Sequence, residues 1–187
     1  MRFFIAIVPP DGVKHSIYNI QKNLEDMSDY IRFTNIENMH ITVKFLSEQP
    51  ANYLHAIKDK ISEALIGMPR FEINLDRVGI FKSLEYPRVL WLGENNDQFV
   101  YLSNKIEEKL SIYRKNTDKA FCHITIGRVK YIPKEKLIES MRRVKHMLND
   151  KMLKFSADMI SLYESKLTSK RAVYKKIDSF KLGVFYG

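Results

Sequence analysis

Two tetrapeptides of the same pattern decide the fold: His-Ile-Thr-Val at residues 40–43 and His-Ile-Thr-Ile at residues 123–126. Both are rich in β-branched residues, which is typical of a strand. Because alternate residues of a strand face the same side, the histidine and the threonine of each motif share one face, and the two aliphatic side chains share the other. The repeat therefore predicts two strands that pack one face on a core and present an imidazole and a hydroxyl on the other.

Outward from these motifs, strand and helix patterns are mixed along the chain. We expect strands near residues 2–8, 30–33, 40–46, 71–80, 88–92, 123–129, 153–163 and 173–185, and helices near 11–25, 50–65, 98–113 and 133–148. No GxGxxG or GxxxxGKS/T segment joins a strand to a helix, so neither a dinucleotide site nor a nucleoside triphosphate site is indicated. With no Pro/Gly/Ser-rich linker, the chain predicts one α+β domain over residues 1–187.

The composition is that of a globular protein with an excess of positive charge. Of 187 residues, 45% are hydrophobic, and 31 Lys and Arg against 22 Asp and Glu give a net charge of +9. This charge favours an anionic partner such as nucleic acid, or it serves solubility alone. The single cysteine, Cys122, cannot form an internal disulfide or a cysteine-rich zinc site, and this indicates a reducing compartment.

No segment of the sequence is typical of a membrane span or a secretory leader. The apolar run at residues 3–10, FFIAIVPP, is short and ends in two prolines, so a buried first strand is the better interpretation. No other apolar run approaches the ~20 residues that cross a bilayer. We therefore expect a cytoplasmic protein with no membrane partner.

The paired imidazoles and hydroxyls are suited to one kind of chemistry. Two histidines, with unperturbed pKa values of roughly 6.5, can serve as acid and base near neutral pH. Two threonine hydroxyls can donate hydrogen bonds to phosphate oxygens. Hydrolysis of a cyclic phosphodiester needs this set: a base for the attacking water, an acid for the departing ribose oxygen, and donors for the charge between them. The scheme needs no metal ion.

Two alternatives compete with catalysis as the role of these histidines: a strand histidine without function, and a two-histidine metal site. The first accounts for a single His-x-Thr more readily than for two matching copies. The second lacks an obvious third ligand, because His15, His55 and His146 lie in helical segments and no HExxH or His-x-His is present. We therefore favour acid–base catalysis over metal ligation.

Further segments accompany the two motifs along almost the whole chain: MRFFIAI at residues 1–7, NMHITVKFL at 38–46, VGIF at 78–81, PRVLWLG at 87–93, HITIGR at 123–128, LYESKL at 162–167, and Tyr174. In content, order and spacing these segments resemble the 2H phosphoesterase superfamily, and within it the LigT-like RNA 2′,3′-cyclic phosphodiesterases. The resemblance implies a bilobal fold of two pseudo-symmetric lobes, each with an antiparallel sheet and outer helices. The two motifs would then face each other across a cleft between the lobes.

The same resemblance implies the activity and the role of each site residue. It implies metal-independent hydrolysis of a terminal RNA 2′,3′-cyclic phosphate to a 2′-phosphate, with no cofactor and with RNA or oligonucleotide ends as the substrate. His40 would protonate the leaving ribose O3′, and His123 would activate water. Thr42, Thr125 and Arg128 would bind the phosphate. We expect the protein to act as a monomer.

Strand alternation makes separate predictions for two basic residues near the motifs. Arg128 follows His123 by five positions, so it reaches the histidine face only if the strand ends or bulges at Gly127; otherwise it is a surface arginine. Lys44 shares the His40 face by alternation, where it would be a peripheral phosphate contact or a solvated lysine.

Aromatic side chains are candidates for stacking on a nucleobase, namely Phe33, Phe45, Phe81 and Trp91. Phe45 is out of phase with His40, and Trp91 alternates within an apolar strand, so both are predicted to pack in the core. We exclude all four from the site. Cys122 is also out of phase with His123, and we interpret it as a buried, inert thiol.

Two other classes of function fit the same residues. Within the superfamily, the substrate would be a 2′-5′ oligonucleotide or an ADP-ribose cyclic phosphate, or the protein would join RNA ends through a 2′-5′ bond by the reverse reaction. A protein of a different class would be a non-catalytic RNA-binding module, and loss of either histidine would favour it. Both histidines are present. Hydrolysis of a cyclic phosphate end in EDTA separates an enzyme from a binding module.

Overall fold

The computed structural model describes residues 1–115, 119–149, 153–168 and 172–184. The strands are β1 (Arg2–Ile7), β2 (Ile31–Phe33), β3 (Ile41–Glu48), β4 (Phe71–Asn74), β5 (Arg77–Lys82), β6 (Pro87–Glu94), β7 (Cys122–Val129), β8 (Lys154–Ala157), β9 (Met159–Leu167) and β10 (Ala172–Lys181). The α-helices are α1 (Asp11–Lys22), α2 (Leu54–Ala64), α3 (Asp97–Leu110) and α4 (Lys134–Asn149). This mixture of antiparallel strands and helices is the predicted α+β fold.

The large sheet contains eight strands and consists of two lobes. Strands β10, β9, β1 and β3 form the first lobe in that order, and β7, β6 and β5 form the second, with β2 also paired to β7. A single residue pair, Ile41 with Ile124, joins β3 to β7 in antiparallel orientation at the centre. The two motif strands therefore lie side by side where the lobes meet.

The helices cover one face of this sheet and enclose the core. In the first lobe α3 packs on β3 and α2 packs on α3, whereas in the second lobe α4 contacts β5. The inward aliphatic residues of the motifs, including Ile41 and Ile124, are fully buried in this core. Burying a side chain of this size contributes roughly 1.5–3 kcal/mol. No helix within the described ranges is long and apolar enough to cross a membrane.

Strand β3 has a β-bulge directly after its threonine. Thr42 pairs with Ala6 of β1, but Lys44 pairs with Ile5, so Val43 is the extra residue. A bulge inserts one residue on one side of the ladder, and the alternation of side chains is reversed beyond it. Lys44 and Phe45 therefore face the side opposite to the one that simple alternation predicts, until a second irregularity at Leu46 restores the original phase.

Strand β7 has the same irregularity at the equivalent position. Thr125 pairs with Trp91 of β6, but Gly127 pairs with Leu90, so Ile126 is the extra residue. The repeat in the sequence is thus matched by a repeat in the backbone. His40 directly precedes β3 and His123 lies in β7, and each is followed by a threonine and then by a bulge.

A buried polar side chain from a helix binds the carbonyl at each bulge. Ser103 of α3 donates to the Val43 carbonyl over 3.2 Å. Gln21 of α1 donates to the Ile126 carbonyl over 2.9 Å, and to the Thr34 carbonyl over 2.8 Å. Because a buried carbonyl without a partner costs about 1–3 kcal/mol, these side chains stabilise the two bulges.

Two segments predicted as single strands are each divided. Residues 71–80 form β4 and most of β5, and residues 153–163 belong to β8 and β9. Both breaks have the same cause, since β4 and β8 pair with each other in a separate two-stranded ribbon. The predicted end of the last strand at Phe185 lies outside the described residues.

Candidate active site

The two motifs meet at the centre of the large sheet. Because Ile41 pairs with Ile124 and the strands are antiparallel, the histidine and threonine of one motif lie beside the threonine and histidine of the other. A local twofold axis through this pair exchanges His40 with His123. The two imidazoles are close enough to interact, since positive charge on His123 lowers the pKa of His40.

Each imidazole is held by one ring nitrogen. Nδ1 of His40 donates to the Asn38 carbonyl over 2.6 Å, and Nδ1 of His123 donates to the Phe121 carbonyl over 2.8 Å. A carbonyl only accepts hydrogen bonds, so the proton of the neutral ring is on Nδ1 in both residues. This arrangement leaves Nε2 of both rings for proton transfer.

Both imidazoles lose a proton more readily than a free histidine. Burial lowers the pKa of His40; the hydrogen bond to the Asn38 carbonyl opposes this effect, and the nearby His123 adds to it. Burial likewise lowers the pKa of His123, against the hydrogen bond to the Phe121 carbonyl. Both rings are therefore neutral at pH 7 in the free protein. An anionic phosphate between them would favour their protonated form.

Aromatic rings cause much of this burial. The His40 ring lies 5.0 Å from the Phe4 ring and 5.4 Å from the Tyr174 ring, between centroids. The His123 ring lies 4.6 Å from the Phe81 ring, which packs edge-on. Phe81, which the sequence analysis leaves out of the site, thus packs against His123. The strand ladder itself pairs Phe81 with Val89, and Val89 with Arg128.

The sequence pattern indicates one aromatic neighbour of the histidines, Phe121, but not another, Phe4. Phe121 precedes His123 by two positions on the same strand face, and its ring lies 5.9 Å from the imidazole. Alternation could have identified it. Phe4 belongs to β1, and its contact with His40 depends on the pairing of β1 with β3, for which the sequence carries no local signal.

The motif threonines both lie half-buried on the histidine face. Neither Thr42 nor Thr125 makes a side-chain hydrogen bond to another residue in the described part of the chain. Two hydroxyl donors are therefore available beside the two imidazoles. A phosphate between the motifs would find these four groups on a single surface.

The bulge in β3 reverses the predicted positions of Lys44 and Phe45. Lys44 is fully buried on the helix side, where its Nζ forms an ion pair with Glu107 of α3 and donates to the Arg114 carbonyl over 2.6 Å. It is neither a phosphate contact nor a solvated lysine. Phe45 is 51% exposed, and its ring lies 6.2 Å from that of Phe4, so it belongs to the histidine face and not to the core.

The bulge in β7 places Arg128 on the histidine face. Arg128 pairs with Val89 of β6 and with Arg32 of β2, and all three residues share one face of the sheet. Burial raises the pKa of the Tyr174 hydroxyl, and the positive charge of Arg128 partly opposes that effect. The guanidinium therefore lies within electrostatic range of the Tyr174 hydroxyl, and the Tyr174 ring packs against His40.

The other residues that the sequence analysis considered for the site are Trp91, Phe33 and Cys122. Trp91 is predicted from the sequence to pack in the core, but it pairs with Thr125 and lies half-buried on the histidine face. Its indole covers Gly79, whose missing Cβ would lie 2.2 Å away, and its ring contacts that of Phe81 at 5.5 Å. Phe33 packs against the edge of the core. Cys122 is buried, and burial raises the pKa of its thiol, which keeps the thiol protonated.

The part of the chain that the structure describes holds no group of three or more His, Cys, Asp or Glu side chains placed to bind a metal ion.

Comparison with known proteins gives consistent results. The LigT like Phosphoesterase family model matches residues 7–91. The RNA 2′,3′-cyclic phosphodiesterase of Methanocaldococcus jannaschii is 33% identical over 181 residues, which cover 95% of this chain and 98% of that protein. The RNA 2′,3′-cyclic phosphodiesterase of Thermotoga maritima is 34% identical over 179 residues, which cover 94% of this chain and 92% of that protein.

Solved structures share the fold over nearly the whole chain. A Thermus thermophilus protein superposes with a TM-score of 0.80 at 19% identity, covering 97% of this chain and 98% of that one. E. coli LigT in its apo form superposes with a TM-score of 0.74 at 21% identity, covering 97% and 96%. The same E. coli protein has been crystallised with 3′-AMP. With its paired motifs, its bilobal sheet and these relatives, the chain belongs to the LigT-like phosphoesterases of the 2H phosphoesterase superfamily.

Proposed function

We propose that this protein hydrolyses the 2′,3′-cyclic phosphate at an RNA end to a 2′-phosphate, with His40 and His123 as acid and base and without a metal ion. The observation that carries the proposal is the matched pair of imidazoles on one face, each with Nδ1 bound to a carbonyl. The activity named for relatives at 33% and 34% identity over nearly the full chain supports the substrate class.

The proposed reaction uses Nε2 of both rings. Nε2 of His123 accepts a proton from water while the water oxygen forms its bond to phosphorus. The P–O3′ bond breaks, and protonated Nε2 of His40 gives its proton to the departing O3′. The products are a 3′-hydroxyl and a 2′-phosphate monoester. His123 then holds the extra proton, and exchange with solvent restores the starting state.

The proposal gives each neighbouring group one task. The hydroxyls of Thr42 and Thr125 donate to the non-bridging oxygens, where charge increases in the transition state. The guanidinium of Arg128 binds phosphate through charge-assisted hydrogen bonds. Phe45, with its exposed ring, offers a surface on which the terminal base can stack. We further propose that residues 1–187 work as one bilobal domain, a monomer in the cytoplasm that needs no cofactor.

The burial of the histidines has a consequence for the acid. His40 must be protonated to act, and yet its pKa is lowered in the free protein. The negative charge of the bound phosphate raises that pKa, so substrate binding itself favours protonation of His40. The second imidazole stays neutral because two positive charges at this separation repel each other.

A dinucleotide with a 3′-terminal 2′,3′-cyclic phosphate tests this function. The protein is freed of metal with EDTA, and the product is identified by ³¹P NMR. We expect full turnover in EDTA and a 2′-phosphate product. Activity that is lost in EDTA and restored by Mg²⁺ or Mn²⁺ would contradict the proposal. Parallel assays with a 2′-5′ dinucleotide and with ADP-ribose cyclic phosphate decide between members of the superfamily.

A further inference from the structure

A groove lined by positive side chains lies on the second lobe, next to the candidate active site. It has a volume of about 340 Å³ and is lined by Arg32, Arg88, Arg128, Val129 and Lys130. All four cationic residues are exposed. Within the described residues none of them forms an ion pair with a carboxylate, and Lys130 only approaches the Ser28 carbonyl at 3.5 Å. The groove therefore concentrates positive charge that the protein itself leaves uncompensated.

Strand pairing connects this groove to the histidine pair. Arg32 of β2 pairs with Arg128 of β7 on the histidine face. Arg88, one position before the Arg128 partner Val89, alternates to the other face of β6 and lines the groove from the start of that strand. Arg128 in turn acts electrostatically on Tyr174, whose ring packs against His40. Arg128 thus lies on the histidine face and also lines the groove.

Gly127 makes this arrangement possible. A Cβ at Gly127 would lie 2.4 Å from Cγ2 of Ile31, so a side chain at this position would push β2 away from β7. The close packing of Ile31 on Gly127 holds Arg32 beside Arg128. In the second lobe, β2 therefore adds the positive charge of Arg32 next to the bulge in β7.

Two exposed tyrosines belong to the segments that border the groove. Tyr86 is 76% exposed and precedes Arg88 by two positions, and Tyr131 is 78% exposed and follows Lys130. An ion pair between Lys134 and Glu85, at 3.5 Å, ties the turn before β6 to the start of α4. Exposed aromatic rings interspersed with unpaired cations are typical of surfaces that bind single-stranded nucleic acid.

We propose that this groove binds the phosphodiester backbone of the RNA strand that leads to the cyclic phosphate; the inference rests on the function proposed above. The cyclic phosphate is the 3′ end of its strand, so every further phosphate lies on its 5′ side. A mononucleotide carries one phosphate, which binds to the histidines and threonines. The cations beyond Arg128 therefore have an occupant only if the substrate is longer than one nucleotide. The enzyme is thus selective for oligonucleotide ends over cyclic mononucleotides.

The test compares two substrates and two double variants. The substrates are cytidine 2′,3′-cyclic phosphate and a hexanucleotide that ends in the same group. The groove variant is Arg88→Gln with Lys130→Gln. The control, Arg142→Gln with Lys145→Gln, removes the same charge from exposed positions of α4, on the helix side of the sheet.

We expect the groove variant to lose at least tenfold more kcat/KM on the hexanucleotide than on the mononucleotide, while the control loses equally little on both. The salt dependence of kcat/KM for the hexanucleotide should also weaken. For single strands the slope of log affinity against log salt changes by about 0.7 per phosphate contact, so two lost contacts should reduce it by about 1.4. Equal losses on both substrates, or an unchanged slope, would overturn the proposal.

A binding measurement keeps this test separate from the proposed hydrolysis. The probe is a fluorescent hexanucleotide with an ordinary 3′-hydroxyl, followed by anisotropy. We expect the groove variant to bind it about tenfold more weakly than the wild type and the control. If the wild type hydrolyses neither substrate, the proposed function fails, and the anisotropy result still decides whether the groove binds RNA. Equal binding by both variants would overturn the assignment of the groove to RNA.

Discussion

The two halves of the site share a backbone plan and differ in two side chains of each strand. Both strands have a histidine held through Nδ1, a threonine two positions on, and a bulge one position further, with a helix side chain bound to the bulge carbonyl. Beyond the bulge, Lys44 and Phe45 in β3 correspond to Gly127 and Arg128 in β7. The first half thus presents an aromatic ring where the second presents a guanidinium.

The groups that the two halves share differ in kind from the groups in which they differ. The shared parts, imidazole and hydroxyl, are those that a symmetric phosphate centre requires. Aromatic rings flank both halves, since the ring centroids of Phe4 and Tyr174 are 4.8 Å apart beside His40, and those of Phe81 and His123 are 4.6 Å apart. The second half continues into the groove of cations. Under the proposed function, the exposed ring of Phe45 suits a nucleoside and the cations beside Arg128 suit phosphates.

Removal of either imidazole should have the largest effect. We expect His40→Ala and His123→Ala each to lower kcat on a cyclic phosphate dinucleotide by about 10²–10⁴-fold, the usual contribution of a general acid or base. Steady-state kinetics with the dinucleotide measure the loss, and circular dichroism checks the fold. If a variant keeps more than a tenth of the activity, the replaced histidine is not the general acid or base. The two halves would then not contribute equivalent groups to the reaction.

Removal of a threonine hydroxyl should come next. Thr42→Val and Thr125→Val keep the β-branched shape, and each should lower kcat by about 10²–10³-fold, as loss of one oxyanion donor does. Thr→Ser at the same positions keeps the donor and should restore most of the rate. The comparison of the two Val variants measures how evenly the halves share the charge. Unchanged kcat in both would reduce the threonines to strand-forming residues.

The pair of residues that breaks the symmetry should show smaller and distinguishable effects. Arg128→Gln removes a charged hydrogen bond worth about 1.5–3 kcal/mol, so we expect kcat/KM to fall roughly 10–100-fold and its salt dependence to weaken. Phe45→Ala removes a stacking surface worth about 1–3 kcal/mol, and here KM should rise without a change in the salt dependence. Phe45→Tyr is the matched control and should bind normally. Identical salt profiles for the Arg128 and Phe45 variants would contradict the different roles of the aromatic and the charged residue that follow the two bulges.

How far the sequence predicts this site depends on where each residue stands relative to the bulges. His40 and Thr42 precede a bulge, so strict alternation places them correctly on one face. Lys44 and Phe45 follow it, and alternation places both on the wrong side. The bulge depends on the register of β1 against β3 and on Ser103 in α3, which hydrogen-bonds to a strand 60 positions earlier. No local pattern contains that information.

The second lobe illustrates the same limit. The prediction for Arg128 named a bulge at Gly127 as its condition, and the extra residue is the neighbouring Ile126. Arg32 and Arg88 could not be assigned to the same groove from the sequence, because only the pairing of β2 and β6 with β7 brings them together. Periodicity thus predicts faces within a strand, and the partners across strands depend on tertiary pairing.

The pH dependence should show the smallest effect, a few-fold change in rate. The proposed mechanism requires one proton on the imidazole pair, and burial lowers the pKa of both rings in the free protein. We therefore expect kcat/KM to peak below the ordinary histidine pKa of about 6.5 and to fall as the pH rises through it. The kcat profile, which reports the complex, should lie at higher pH because bound phosphate favours protonation. A kcat/KM optimum well above pH 7 would contradict the burial argument.

The most direct test of the central claim, that the two halves perform different proton transfers on one phosphate, is the response of each histidine variant to the leaving group. A p-nitrophenyl phosphodiester has a leaving oxygen that needs no proton, whereas ribose O3′ needs one. His40→Ala should therefore recover at least tenfold relative to wild type on the activated ester, and His123→Ala should remain equally impaired on both substrates. Recovery by His123→Ala would exchange the two roles, and equal deficits on both substrates for both variants would contradict a division into acid and base.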